Sequence, residues 1–249
     1  AVMPSRLPEE AELIPYTSGF LPGRRWLVLA PHPDDETLGL GGTLALATGR
    51  GVEVTMVCVT SGGAQGSSAE REAEACRAAA ELGIAPPQFW RLPDRGVLSM
   101  QGELCARLGR QLDKSAAETI VTPSPVELHP DHRAVALAVH ATLRRRLAWG
   151  ARSRPPAWVV AYEVGAAMLP NLLVGVDSTW ERKRRALACY SSQLAVRPYA
   201  AVMEAFGTLR SLTLLNTERA EGFFLLPARQ VARIGRRRWA GLMGAARGL

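Results

Sequence analysis

Lysine is almost absent from this sequence of 249 residues, in which Lys114 and Lys183 are the only two examples. The net charge of +7 is therefore carried by arginine. Aromatic residues make up 6% of the chain, and the arginines are scattered rather than interleaved with them as on a nucleic-acid-binding surface. We interpret the charge chiefly as a compositional bias, and no nucleic-acid partner is predicted. An anionic substrate or a membrane surface is the alternative.

Cysteine is also rare, and its spacing argues against a disulfide framework. The four cysteines are far apart, include no C-x-x-C pair and fall within apolar or amphipathic runs; they are Cys58, Cys76, Cys105 and Cys189. This pattern indicates reduced thiols in a hydrophobic core. No apolar run approaches the roughly 18 residues that a membrane span requires, and no N-terminal signal pattern is present. We therefore predict a cytoplasmic protein without a transmembrane segment.

Short β-prone runs alternate with helical patterns along most of the chain. The predicted strands are residues 26–30, 52–60, 88–92, 119–122, 158–164 and 172–176. Strand and helix in alternation form parallel βαβ units with right-handed crossovers. A length of 249 residues suits one such unit better than two. We predict a single Rossmann-like α/β domain over residues 1–249, with three layers and a mostly parallel, twisted sheet.

The two ends of the chain differ from its middle. Residues 1–25 are rich in proline and glutamate and show no periodicity, which predicts an N-terminal arm. Residues 227–249 mix arginines with apolar side chains, which predicts a basic C-terminal tail. Glycines in this tail weaken a helix, so core packing or a frayed terminus is favoured over an interfacial membrane helix. Weak peripheral membrane contact is the remaining alternative, and no oligomeric state is predicted.

The first predicted strand ends abruptly in a group of polar side chains. Its apolar residues are followed by Pro31, His32, Pro33, Asp34, Asp35 and Glu36. Each proline ends strand pairing and fixes its backbone φ angle, so the polar side chains lie on a stiff turn. Ligands of open α/β sheets bind beyond the carboxyl ends of the strands. This turn is therefore the first candidate for the functional site.

A second polar group follows the predicted strand at residues 119–122. It consists of Leu128, His129, Pro130, Asp131 and His132. A catalytic zinc site uses about three histidine or carboxylate ligands and leaves one position for water. His32 and Asp35 supply two ligands, and the second group supplies the third. The fourth histidine, His140, is flanked by alanine and valine and is interpreted as structural.

Glycines follow the first turn at Gly39, Gly41 and Gly42. A dinucleotide-binding loop requires G-x-G-x-x-G, and Leu44 occupies the position of the third glycine. The sequence therefore excludes that site. Close packing of the backbone is at least as good an explanation of the glycines as approach to a ligand.

The two polar turns together resemble the PIG-L/LmbE family of zinc-dependent N-acetylglucosamine deacetylases. The Pro31 to Glu36 turn is followed about a hundred residues later by His129, Pro130, Asp131 and His132. The resemblance covers roughly residues 26–206. It includes Gly41 and Gly42, Arg71 and Glu72, and Ser192 and Gln193 after Lys183.

The resemblance implies a hydrolase that removes the N-acetyl or N-acyl group from an N-acetylglucosamine conjugate. It implies His32, Asp35 and His132 as ligands of Zn²⁺, although Fe²⁺ or Co²⁺ would suit the same side chains. It implies Asp34 as the base that deprotonates water and His129 as a stabiliser of negative charge or a proton donor, with Asp131 orienting His129. Arg71 and Asp94 are the implied substrate contacts, although a solvated helix position is the ordinary interpretation of Arg71.

Several alternatives remain at this stage. Glu36 is either a partner of the metal turn or a carboxylate favoured at a helix N-terminus. Some family members place a tyrosine near position 127, where this chain has glutamate; Tyr162 or Tyr199 is the expected replacement, unless the substrate differs. The aglycone is open, and an anionic one is acceptable. A metal-dependent amidase acting on a non-sugar amide and a silent sugar-binding module are the competing functions, although Asp34 argues against the latter.

Overall fold

A computed structural model of the protein describes residues 17–63, 67–149 and 155–244. Most of the predicted N-terminal arm and the last five residues of the predicted tail lie outside the described residues. Eight strands form one sheet in the described part of the chain. They are β1 (Thr17–Ser18), β2 (Arg25–Ala30), β3 (Glu53–Thr60), β4 (Gln88–Leu92), β5 (Thr119–Pro123), β6 (Trp158–Tyr162), β7 (Leu172–Gly175) and β8 (Ala220–Pro227).

The sheet is mixed, with the order β1-β7-β8-β6-β5-β2-β3-β4. Strand β8 pairs antiparallel with both β6 and β7, and every other pair is parallel. All six predicted strands are present, although β6 ends two residues before the predicted boundary. The prediction of a mostly parallel α/β sheet is therefore confirmed. It lacked β8, which lies between two predicted strands, and β1, a two-residue strand within the predicted N-terminal arm that pairs with β7.

Helices cover both faces of this sheet. They are α1 (Asp35–Gly49), α2 (Ser68–Leu82), α3 (Gln101–Ser115), α4 (Pro130–Trp149), α5 (Trp180–Ala188), α6 (Ser191–Leu194), α7 (Tyr199–Ser211), α8 (Ala228–Arg233) and α9 (Arg236–Gly241). Alternate residues of β2 face opposite sides, as strand geometry requires. Trp26 and Val28 pack with α1, α2, α5 and α7, whereas Leu27 and Leu29 pack with α3, α4, α8 and α9. The three predicted layers are thus present.

Helix α1 is interrupted at Leu40, where the backbone leaves the helical region (φ −147°, ψ 19°). A break of this kind exposes carbonyl groups on one side and N–H groups on the other. Lys183 donates to the carbonyl of Leu38 at 2.8 Å. Glu221 accepts from the backbone N–H groups of Gly42 at 2.9 Å and Thr43 at 2.8 Å. One buried ion pair therefore satisfies both sides of the break, with 2.7 Å between the charged atoms.

The glycines after the break permit close packing. A Cβ atom on Gly42 would lie 2.7 Å from Cβ of Val176, the residue that follows β7. No real Cβ tolerates that separation, so α1 packs against its neighbours through bare backbone. The packing interpretation of these glycines agrees with the structure.

The described part of the C-terminal tail belongs to the core. Val231 in α8, Trp239 in α9 and Met243 are each at most 1% exposed. These three apolar residues of the tail therefore pack in the core, whereas Leu242 is 41% exposed. Among the described residues, no helix is both long enough and apolar enough to cross a bilayer.

Candidate active site

The two polar turns meet because β2 and β5 are parallel neighbours. Trp26 pairs with Thr119, so both strands end at the same edge of the sheet. The first turn leads directly into α1 at Asp35, and the second leads into α4 at Pro130. Each turn is thus fixed between a buried strand and a helix start.

Three ligand atoms form a triangle with equal sides at this edge. Nδ1 of His32, Oδ2 of Asp35 and Nε2 of His132 are each 3.2 Å from the other two. Ligands about 2.1 Å from a tetrahedral zinc ion lie about 3.4 Å apart, so the triangle has the size of a zinc site. Its two imidazole nitrogens face each other, and at most one can donate a proton to the other. The donor set therefore fits a divalent metal ion.

The titration of these groups reflects their crowding. Burial opposes the charged form of Asp35, but the facing His132 holds the pKa of Asp35 well below its usual range. Burial lowers the pKa of His132, but the charge of Asp35 outweighs it and raises the pKa to about 9. Burial also opposes protonation of His32, yet hydrogen bonds to three surrounding carboxylates raise its pKa. Asp35 and the histidines around it thus shift each other's pKa in the directions expected of close opposite charges.

The second nitrogen of His32 contacts two further carboxylates. Its Nε2 lies 3.3 Å from Oδ2 of Asp131 and 3.1 Å from Oδ1 of Asp94. Asp131 also accepts from the backbone N–H groups of Arg95 at 2.7 Å and Val97 at 3.1 Å. The carboxylate of Asp131 therefore orients His32. Asp94, expected as a substrate contact, lines the cavity while touching His32.

The Asp131 carboxylate does not orient His129, in contrast to the prediction from sequence. Its Nδ1 accepts from the backbone N–H of Asp131 at 3.2 Å, while the Asp131 carboxylate contacts His32. In the neutral ring the proton then resides on Nε2. Burial and the charges of His32 and His132 lower the pKa of His129, which favours this neutral form. His129 thus offers an N–H donor.

Asp34 lies beside the triangle in a strained backbone conformation, with φ at 124°. Such strain persists only where surrounding structure imposes it. Arg71 in α2 contributes here, because its Nη2 donates to the carbonyl of Pro33 and lies 3.1 Å from Oδ2 of Asp34. Burial and the charge of Asp35 raise the pKa of Asp34, and Arg71 opposes that rise. Arg71 is 3% exposed, so it is not the solvated residue that its sequence context allowed.

Glu36 is fully buried behind the turn. It accepts from the hydroxyl of Tyr190 at 2.5 Å and from Oγ1 of Thr37 at 2.7 Å. A longer bond of 3.3 Å joins it to the backbone N–H of Asp34. Of the two interpretations of Glu36, these contacts favour a partner of the metal turn.

The two tyrosine candidates separate in the structure. Tyr162 is fully buried and donates to the carbonyl of Leu29 at 2.9 Å, away from the cavity. Tyr199, at the start of α7, lines the cavity. Only Tyr199 can therefore approach a bound ligand.

Glu127 belongs to the site although no role was expected for it. One of its oxygens lies 3.6 Å from Nδ1 of His132, the ring atom that faces away from the triangle. The carboxylate also accepts from backbone N–H groups of residues 164–166 after β6, at 2.7 to 3.4 Å. In the sequence, the one indication of this role is that a glutamate stands close before His129, where some family members have a tyrosine. Its partners are backbone groups, which sequence does not reveal.

An open cavity of about 190 Å³ adjoins the triangle. Gln193 of α6, 1% exposed, also lines it, a position in the site that the sequence does not predict. Glu74 of α2 fixes α6 by accepting from the backbone N–H of Ser192 at 2.8 Å and from its hydroxyl at 2.6 Å. Five of the six residues expected as metal or catalytic groups line this cavity, and the sixth, Asp131, contacts His32 in its wall.

Comparison with known proteins gives a consistent result. The family model described as GlcNAc-PI de-N-acetylase (PIG-L) matches residues 27–143, which include both turns. The chain is 30% identical over 199 residues to a probable N-acetyl-alpha-D-glucosaminyl L-malate deacetylase 2 of Bacillus anthracis, covering 70% of this chain and 83% of that protein. It is 28% identical over 188 residues to a diacetylchitobiose deacetylase of Thermococcus kodakarensis, covering 68% and 70%.

A solved structure shows the same fold. The N,N'-diacetylchitobiose deacetylase of Pyrococcus horikoshii superposes with a TM-score of 0.72 over 83% of this chain and 85% of that one, at 22% identity.

Proposed function

The chain belongs to the PIG-L family of de-N-acetylases, and we propose that it is a zinc-dependent hydrolase that removes the N-acetyl or N-acyl group from an N-acetylglucosamine-containing conjugate. The relatives named as deacetylases of small amino-sugar compounds support this substrate class. The observation that carries the proposal is the triangle of His32, Asp35 and His132, with Asp34 beside it in an open cavity.

The three triangle residues would hold the metal ion. Zn²⁺ bound there would lower the pKa of water toward neutrality and polarise the amide carbonyl. Zinc is favoured over iron or cobalt because two imidazoles and one carboxylate, with a free position, are a common catalytic zinc set.

Asp34 is the proposed base. It does not belong to the triangle, yet it lines the same cavity, so it can take the proton of the attacking water. Its raised pKa makes its carboxylate a stronger proton acceptor than an exposed aspartate. Arg71 keeps it from turning away by binding both the carboxylate and the carbonyl of Pro33.

His129 lines the same cavity and is the proposed stabiliser of the negative charge that develops on the substrate oxygen. Its neutral ring presents Nε2–H, because Nδ1 is already an acceptor. A donor aimed at the developing charge stabilises the transition state more than the substrate. Departure of the amine requires a proton, and the proton taken up by Asp34 is available for this transfer.

The test is release of free amine from a panel of N-acetylglucosamine conjugates. It compares metal-loaded protein, chelated protein, and chelated protein to which zinc, Fe²⁺ or Co²⁺ is restored. We expect release that disappears on chelation and returns with zinc. Stoichiometric metal without release from any conjugate would contradict the proposal and favour a non-sugar amide or a silent binding module.

A further inference from the structure

Resting on the proposed function, we infer that Arg95 binds an anionic group, carboxylate or phosphate, on the aglycone of the substrate. Arg95 lines the cavity and is exposed to solvent. No hydrogen bond or ion pair joins its guanidinium to any described residue. It is therefore an available cation at the mouth of the site.

The other charges of the cavity wall are already engaged. Arg71 pairs with Asp34 at 3.1 Å. Glu127 is held by a series of backbone N–H groups and faces His132. Asp34, Glu127 and Arg71 are therefore engaged within the protein and are not available to bind a charged substrate group.

Two further carboxylates, Asp94 in the cavity wall and Asp131 behind it, converge on one imidazole. Asp131 and Asp94 both lie within 3.3 Å of Nε2 of His32. Among the described arginines that line the cavity, Arg71 is buried and paired, so Arg95 is the exposed cation left for a ligand.

The backbone fixes where this charge stands. Arg95 has a φ of 61°, in the left-handed region that non-glycine residues rarely adopt. Its N–H and that of Val97 both donate to the carboxylate of Asp131, which in turn contacts His32. One carboxylate therefore ties the start of the Arg95 side chain to the reacting centre. A strained conformation held by such contacts is typical of functional positions.

The geometry also divides the substrate into two parts. The amide must lie at the triangle, next to Asp34 and His129, in the depth of the cavity. Arg95 is exposed, whereas the triangle residues Asp35 and His132 are buried, so with the amide at the triangle the aglycone is the part that extends toward Arg95. A guanidinium there matches the two oxygens of a carboxylate or phosphate through paired N–H groups.

The experiment compares three substrates on the zinc-loaded protein. They are methyl N-acetylglucosaminide, which is neutral, N-acetylglucosaminyl glycolate, which carries a carboxylate, and N-acetylglucosamine 1-phosphate. The variants are Arg95→Gln, Arg95→Lys and the control Arg145→Gln. Arg145 is exposed on α4, thirteen residues after His132 and thus about 20 Å away along the helix, and its loss changes the net charge equally.

We expect Arg95→Gln to lower the ratio of kcat/KM on an anionic substrate to that on the neutral one by about 10-fold or more, chiefly through KM. Arg95→Lys should retain part of the ratio, and Arg145→Gln all of it. The anionic substrate whose ratio falls further identifies carboxylate or phosphate. An equal loss on all three substrates, which a merely structural Arg95 would give, overturns the inference.

Calorimetry separates this inference from the proposed function. Binding of N-acetylglucosamine 1-phosphate and N-acetylglucosaminyl glycolate to zinc-loaded wild type and Arg95→Gln is measured whether or not either is hydrolysed. Weaker binding to the variant supports the inference even if no substrate is hydrolysed. The absence of hydrolysis would contradict only the deacetylase proposal. Equal binding of both ligands to the two proteins overturns the inference even if hydrolysis is observed.

Discussion

The carboxylate of Asp131 lies 3.3 Å from Nε2 of His32, a residue 99 positions earlier in the chain. The aspartate of the second turn thus orients the histidine of the first. A hydrogen bond on one ring nitrogen fixes the tautomer and leaves the other nitrogen free for a metal.

Loss of this bond should weaken metal binding. We expect Asp131→Asn to reduce zinc affinity by about 10- to 100-fold, because His32 loses the acceptor that orients it. Competition with a chromophoric chelator measures the dissociation constant. Asp113→Asn, on α3, is the matched control and should bind zinc as tightly as wild type. An unchanged affinity in Asp131→Asn would show that Asp94 alone orients His32.

Replacement of Asp34 should separate chemistry from metal binding. Asn in Asp34→Asn keeps the size of the side chain and tolerates positive φ, but it cannot accept a proton. We expect kcat to fall by about 10²- to 10⁴-fold, with zinc content unchanged. Steady-state kinetics and metal analysis on the same sample provide both values. A variant with full activity would remove Asp34 from the role of base.

Glu127 should support both the metal and the fold. In Glu127→Gln, an amide NH₂ replaces an oxygen that faces backbone N–H groups, and the charge next to His132 disappears. We expect zinc affinity to fall by about 10- to 100-fold and the thermal midpoint of the chelated protein to fall as well. Leu128→Ala, at the exposed neighbouring position, is the control. Wild-type zinc affinity in Glu127→Gln would contradict the role given to this carboxylate.

The buried pair of Lys183 and Glu221 should be strongly coupled. Lys183→Met leaves a buried carboxylate without its cation and should reduce the free energy of unfolding by about 3–5 kcal/mol. Glu221→Gln should act similarly, and the double variant should lose less than the sum of the two. Urea denaturation of the four proteins gives the coupling energy. Lys114→Met, at the other lysine, which is exposed, should be nearly neutral; additive losses would indicate that the two charges do not interact.

His140 gives a pH dependence remote from the metal turn. Its ring stacks on Trp239 and its Nε2 donates to the carbonyl of Ile234 at 2.9 Å. Burial, together with two nearby arginines, lowers the pKa of His140 below its usual value. As pH falls below about 6.5, the unfolded chain takes up a proton at this position before the folded protein does, so stability decreases.

The comparison that isolates this effect is wild type against His140→Gln. The loss of unfolding free energy between pH 7.5 and 5.5 should be larger for wild type, since glutamine cannot titrate. Equal losses in the two proteins would mean that His140 has the same pKa folded and unfolded.

Sequence predicted those parts of the fold that depend on local patterns. Strands β2 and β5 are short runs of β-prone residues that end at or next to a proline, and the side chains beyond them are chemically distinctive. The unpredicted strand β8 contains Glu221, a charged residue whose burial depends on Lys183, 38 residues earlier. Helix α7 buries only Met203, Gly207 and Ser211, so it lacks an apolar stripe. Such elements are determined by tertiary partners rather than by their own pattern.

The same division applies to the site. His32, Asp35 and His132 were expected together, and the structure brings them together. The predicted partner of the Asp131 carboxylate was wrong: adjacency in sequence suggested His129, whereas the carboxylate contacts His32. Neither the orientation of a carboxylate nor the backbone donors that surround Glu127 can be derived from spacing alone.

The distance in sequence between the two turns also orders events during synthesis of the chain. When Asp35 leaves the ribosome, the polypeptide still lacks β5 and α4. His132, the third residue of the triangle, is synthesised 97 residues later. Strands β3 and β4 can join β2 in that interval, but the opposite edge of β2 stays open until β5 pairs with it. The nascent protein therefore acquires its complete metal-binding set only when β2, β3, β4 and β5, four of the eight described strands, can be in place.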